Sequence, residues 1–144
     1  MKPRRGQGAA SGMFSEEGNL VPEGELLEHV SLTVLRSAAI GVPGVTDWSR
    51  ATVSKKPLKI YDINGKPLFY DYAIKKGAET IGTVRAVASR ILGAPVIAQE
   101  LGPRYWDFEV AVKKLTPKVK KEHPGWKMLS TKPVCYSYPK LGVM

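Results

Sequence analysis

The side chains able to do covalent or metal chemistry are few. Cys135 is the lone thiol, and His29 and His123 are the two imidazoles. A Cys–His couple needs a base within hydrogen-bond reach of the sulfur. The spacing of these three residues brings no pair together locally, and Val134-Cys-Tyr-Ser-Tyr138 reads as a strand in which the thiol packs. A metal site would have to assemble His29, His123, Cys135 and distant carboxylates without a close ligand pair to nucleate it. Asp62 and Asp71 could face one another across a hairpin, but acids near turns are usually solvated surface groups. Gly41-Val-Pro-Gly44 lacks the glycine spacing of a phosphate-cradling loop, and no serine elbow is present. The reading is therefore of a protein that is not an enzyme and carries no cofactor and no metal.

Charge points elsewhere. Of the net +9, residues 103–144 supply +6, from nine basic against three acidic side chains. Arg104-Tyr-Trp106 opens a helix whose Phe108, Val112, Leu115 and Val119 share one narrow arc, with Lys113, Lys114, Lys118, Lys120 and Lys121 on the other side. Basic groups interleaved with aromatics can track phosphates and stack bases, so nucleic acid is one candidate partner. An acidic protein is another, and a solvated lysine face is the bland alternative. The partner-binding candidates are Arg104, Tyr105, Trp106, Lys113, Lys114, Lys118 and Lys121.

The elements that would position these groups fit one domain. A chain of 144 residues, 43% hydrophobic and 24% charged, can bury a core. Residues 1–22 lack sustained periodicity and read as a mobile tail, leaving 23–144 as a single α+β domain. A helix is predicted from Glu23 or Gly24. Leu26, Leu27, Val30, Val34 and Ala38 give it a core stripe, acids at its start suit the helix dipole, and Gly41, Pro43 and Gly44 end it. Trp48 anchors an irregular stretch. Leu58-Lys-Ile-Tyr-Asp-Ile-Asn-Gly-Lys-Pro-Leu-Phe-Tyr-Asp-Tyr-Ala-Ile74 is a hairpin about Asn64-Gly65, a pair suited to positive φ. Lys76-Gly77 turns the chain into Thr80–Ser89, and Val96–Gln99 follows, completing an antiparallel meander. Pro117 either kinks the second helix or starts a new turn capped by Thr116. Trp126–Leu129 and Val134–Tyr138 are predicted as terminal strands. The apolar end Leu141–Met144 is what a segment cut from a longer polypeptide would show. No stretch approaches the roughly 20 apolar residues of a membrane span, and the basic start is followed by no apolar signal-peptide segment.

The order of these elements resembles a family. Lys59-Ile-Tyr-Asp-Ile-Asn-Gly-Lys-Pro-Leu-Phe-Tyr70, then Glu79-Thr-Ile-Gly-Thr-Val-Arg-Ala-Val-Ala-Ser89, then Ala94-Pro-Val-Ile-Ala98 look like the cystatin-like pro-regions of secreted papain-fold peptidases of the streptopain type, and like related PepSY-like modules. The likeness covers roughly residues 25–100. Thr83 and Arg85 depart from it, standing where a more hydrophobic series is typical, and it leaves the lysine-rich helix unexplained. The resemblance implies a helix–strands–helix–strands fold and a non-catalytic module that inhibits or chaperones a protein partner, such as a peptidase or an adjoining domain. It also implies export. Nothing in it assigns individual contact residues.

Overall fold

The computed structural model describes residues 19–103, 106–138 and 140–144 of the chain. Its architecture is α+β, with two helices and one mixed sheet. Helix α1 spans Glu23–Ala39. A 3₁₀ turn, Thr46–Arg50, leads into strands β1 (Thr52–Val53), β2 (Leu58–Tyr61), β3 (Pro67–Lys76), β4 (Glu79–Val87) and β5 (Val96–Leu101). Helix α2 spans Phe108–Glu122, and β6 (Pro133–Ser137) and β7 (Lys140–Val143) close the chain. The sheet runs β5-β4-β3-β2-β6-β7, with β1 pairing to β3.

Helix α1 forms where its apolar period places it. Leu26, Val30, Val34 and Ser37 are buried, and Leu27 and Ala38 pack at their margin. Its end is set by backbone geometry. Gly41 adopts φ 71°, Gly41 N–H donates to Ala38 O (3.3 Å), and Val42 N–H donates to Ser37 O (3.1 Å). That paired arrangement is a Schellman cap, which a residue with a Cβ would strain. Each large side chain the helix buries contributes about 1.5–3 kcal/mol relative to exposure.

The hairpin between β2 and β3 forms by a different turn from the one its Asn-Gly pair suggests. Only Gly65 takes a positive φ, 79°. Asp62 N–H donates to Lys66 O (2.9 Å), and Gly65 N–H to Asp62 O (3.0 Å). The Asp62 carboxylate accepts from the N–H groups of Asn64 (2.8 Å) and Lys66 (2.9 Å). These bonds favour a three-residue loop with a bulge, in which glycine alone needs the left-handed region. Between β3 and β4, Gly77 (φ 63°) occupies the first central position of a two-residue turn.

One face of the sheet carries Tyr70, Tyr72, Ile74, Val84, Ala86 and the adjoining Ala88, and it packs against α1 and Trp48. Ile60, Phe69, Val87 and Cys135 form a second cluster with Leu58, Leu68 and Leu141. Val21, inside the stretch read as tail, is buried in the first cluster, and its N–H donates to Ala88 O (2.9 Å). Residues 1–18 of that stretch lie outside the described residues.

Two features of the sheet differ from the sequence reading. β2 and β6 pair in parallel at Tyr61 and Val134, so the sheet is mixed where an antiparallel one was expected. Trp126–Leu129 is not a strand; the antiparallel partner of β6 is β7. Among the described residues, the backbone groups of 127–131 bond to no other element. The C-terminal residues take that place instead, and Lys132 and Met144 exchange two backbone hydrogen bonds of 2.8 Å.

Candidate docking groove

Helix α2 starts at Phe108, later than the expected opening at Arg104. Asp107 accepts from Val110 N–H (3.0 Å) and so fixes the N-terminus. The helix runs through Pro117 without interruption. Pro117 has no N–H to give Lys113 O, while the Thr116 hydroxyl donates to Val112 O (2.8 Å). At the other end His123 caps through its N–H to Val119 O (2.8 Å). Its ring stacks on Trp126, with centroids 3.9 Å apart and planes within 10°. Trp126 N–H also donates to His123 O (3.0 Å), so the chain folds back alongside the helix it has just left.

The reversal leaves a groove of about 630 Å³. Val112, Leu115 and Val119 of α2 line it together with Trp126, Met128 and Leu129 from the returning segment, and Val143 and Met144 join the lining. The apolar stripe read from the sequence is real, but its destination is not the core: no residue of α2 is fully buried. Leu115 is 40% exposed and Leu129 87%. Lys120 and Lys127 lie in the lining itself. Between residues 113 and 132 there are seven lysines and one acid, Glu122.

The residues singled out as partner contacts are placed as follows. Lys113, Lys114, Lys118 and Lys121 are exposed on α2 outside the groove lining. At about 100° per residue, Lys118 lies about 60° round the helix from Leu115 and Lys113 about 60° from Thr116, at the two margins of the lining, while Lys114 and Lys121 fall on the helix's far side. Trp106 is half-buried before the helix, its ring 6.0 Å from that of Phe108. Arg104 and Tyr105 lie outside the described residues. Sequence reasoning missed Trp126, Met128 and Leu129, having assigned them to a strand. The available signal was three large apolar side chains, Trp126, Met128 and Leu129, between Pro124-Gly125 and Pro133, two of them adjacent and so out of step with the alternation of a half-buried strand.

The chemically capable residues are spread over separate parts of the fold. Cys135 packs beside Ile60, Phe69 and Val87, and burial pushes its thiol up, against the pull of the Arg85 charge. A thiol held protonated is a poor nucleophile. His29 faces Glu25 (3.7 Å), whose carboxyl is held low chiefly by its hydrogen bond with Arg90; that contact is bidentate, at 2.8 and 2.6 Å. Asp71 is not the solvated surface acid that its nearness to a turn suggested. It is buried and paired with Arg85. Among the described residues no group of three His, Cys, Asp or Glu side chains could hold a metal ion. No helix among them is long and apolar enough to cross a membrane.

No family model, no curated protein and no solved structure matches this chain. The groove's own chemistry must carry the functional reading.

Proposed function

We propose that this chain is a non-catalytic protein-binding module, of the inhibitory or chaperoning, pro-domain-like kind, acting by steric occlusion of its partner. One observation carries the reading: the apolar stripe of α2 is left open along a groove when it could have been sealed against the sheet. Hydrophobic side chains rimmed by charge are a common form of protein-docking surface. Val112, Leu115 and Val119, with Trp126, Met128 and Leu129 opposite, present such a surface at helical spacing. The cystatin-like or PepSY-like resemblance of residues 25–100 agrees with a partner-directed role.

The test is a pull-down from lysate with and without nuclease treatment, at low and moderate salt, comparing the wild-type chain with Leu115→Asp. A protein retained by the former and lost by the latter supports the module. Retention of nucleic acid alone, in the untreated lysate, refutes it.

A second reading, nucleic-acid binding, is favoured by the exposed Lys113, Lys114, Lys118 and Lys121 on α2. Its signature is affinity that falls steeply with salt as phosphates release their counterions.

A further inference from the structure

We infer that the groove between α2 and residues 126–131 takes a short acidic, amphipathic protein segment, in which two or three large apolar side chains are flanked by Asp or Glu. The inference rests on the protein-binding reading and adds the chemistry of the partner.

Three observations select that chemistry. The lining is apolar on both segments, so the occupant must bring apolar side chains to gain from burial. Val112 to Val119 advances about 10 Å along the helix, at about 1.5 Å per residue, which is room for a few side chains and not for a domain face. Lys120 and Lys127 stand in the lining, with Lys113 and Lys118 beside it. Lys132, the last of the local lysines, is held 5.0 Å over the Tyr61 ring. An occupant with carboxylates flanking its apolar groups would meet these ammonium groups, whereas a basic one would be repelled.

The same charge argues against a second copy of this chain. Two grooves facing each other would bring like-charged rims together on molecules that each carry +9. Nucleic acid would satisfy the lysines and could stack a base on Trp126, but it would leave Met128, Leu129 and the α2 stripe without apolar partners. Met128 and Met144 suit a site that adapts to different apolar side chains, because the thioether chain repacks readily. The backbone groups of residues 127–131, unbonded to any other element among the described residues, stand ready to pair with a segment laid beside them.

The experiment is fluorescence anisotropy with the full chain and labelled peptides of about twelve residues, long enough to cover such a groove. One peptide combines Leu and Phe with Asp and Glu. A second replaces the acids by Lys, and a third replaces the apolar residues by Ser. The first is expected to bind at least about tenfold more tightly than either, a difference of about 1.4 kcal/mol. Leu129→Asp, at an exposed site the fold does not need, is expected to weaken it about tenfold or more. Equal affinity for the lysine or serine peptide overturns the inference. So does an oligothymidylate that binds more tightly and is indifferent to Leu129→Asp, or a self-association in sedimentation that Leu129→Asp abolishes. Capture of a protein from lysate that depends on Leu115, without preference for the acidic peptide, overturns this partner chemistry and leaves the protein-binding module standing.

Discussion

Arg85 grips Asp71 with two hydrogen bonds, Nε to Oδ1 at 2.8 Å and Nη2 to Oδ2 at 2.9 Å, across a register in which the two residues are directly opposite. Both side chains are about 95% removed from solvent, at 5% and 6% exposure, and the guanidinium also lies 5.4 Å over the Phe69 ring. Breaking such a pair leaves a buried charge uncompensated, which costs about 3–5 kcal/mol. Asp71→Ala is therefore expected to lower the urea midpoint sharply. Replacing both partners by apolar residues of similar volume should restore most of the loss. A double variant no better than Asp71→Ala would show that the pair stabilises the fold by more than mutual compensation.

A second prediction concerns Gly82, which sits against Trp48. A Cβ built on Gly82 would lie 2.8 Å from Trp48 Cε2 and 3.0 Å from Glu100 O, closer than packed atoms come. Trp48 is buried and has little room to retreat. Gly82→Ala should destabilise by about 1–3 kcal/mol through overpacking. It should also shift the tryptophan emission of the native state. An unchanged melting temperature would mean that the 3₁₀ turn Thr46–Arg50 yields without cost.

The third prediction is an alkaline loss of stability. Tyr72 is fully buried, its hydroxyl donates to Glu23 O (3.4 Å), and burial first, then the Glu23 and Tyr70 charges, pushes its pKa from 10.0 up to about 12. Burial pushes Tyr70 up as well, and the hydrogen bond with Glu23 raises Lys59. In each case the folded state holds its proton to higher pH than the unfolded chain. The stability linked to these groups is therefore complete below the unfolded value and is lost as pH rises through the folded one. For Tyr72 the window runs from pH 10.0 to about 12. The urea midpoint should fall across that window and fall less in Tyr72→Phe. Equal slopes for the two proteins would remove Tyr72 as the cause.

How much of this was legible beforehand depends on whether the deciding partner was local. The stripe Leu26–Leu27–Val30–Val34–Ala38 and the glycine stop after α1 are local patterns, and they form where the sequence places them. Trp48 was identifiable as an anchor, but its seat against Gly82 was not, since the two are brought together only when β4 passes the 3₁₀ turn. Asp71 illustrates the same limit: its role depends on Arg85 one strand away, at a register that no short-range pattern encodes. For α2, periodicity identified which residues share a face and could not identify what covers it. The groove became visible only once His123 and Trp126 were seen to turn the chain back along the helix. Trp126–Leu129 read as a strand because its residues suit one, yet the place beside β6 goes to Lys140–Val143.

Pro117 gives the last prediction. It lies inside α2, where proline is about 3 kcal/mol less favourable than alanine because it removes an N–H and crowds the preceding turn. With no fully buried residue, α2 is weakly tied to the core and should open in a local step of its own. Pro117→Ala is then expected to slow hydrogen exchange at residues 118–122 by up to about a hundredfold, at 1.4 kcal/mol per tenfold. The global urea midpoint should barely move, because the core elements unfold without reference to α2. A midpoint that rose along with the exchange protection would show instead that α2 and the sheet unfold as one unit. The groove wall would then be a rigid part of the domain and not an element that adjusts to its occupant.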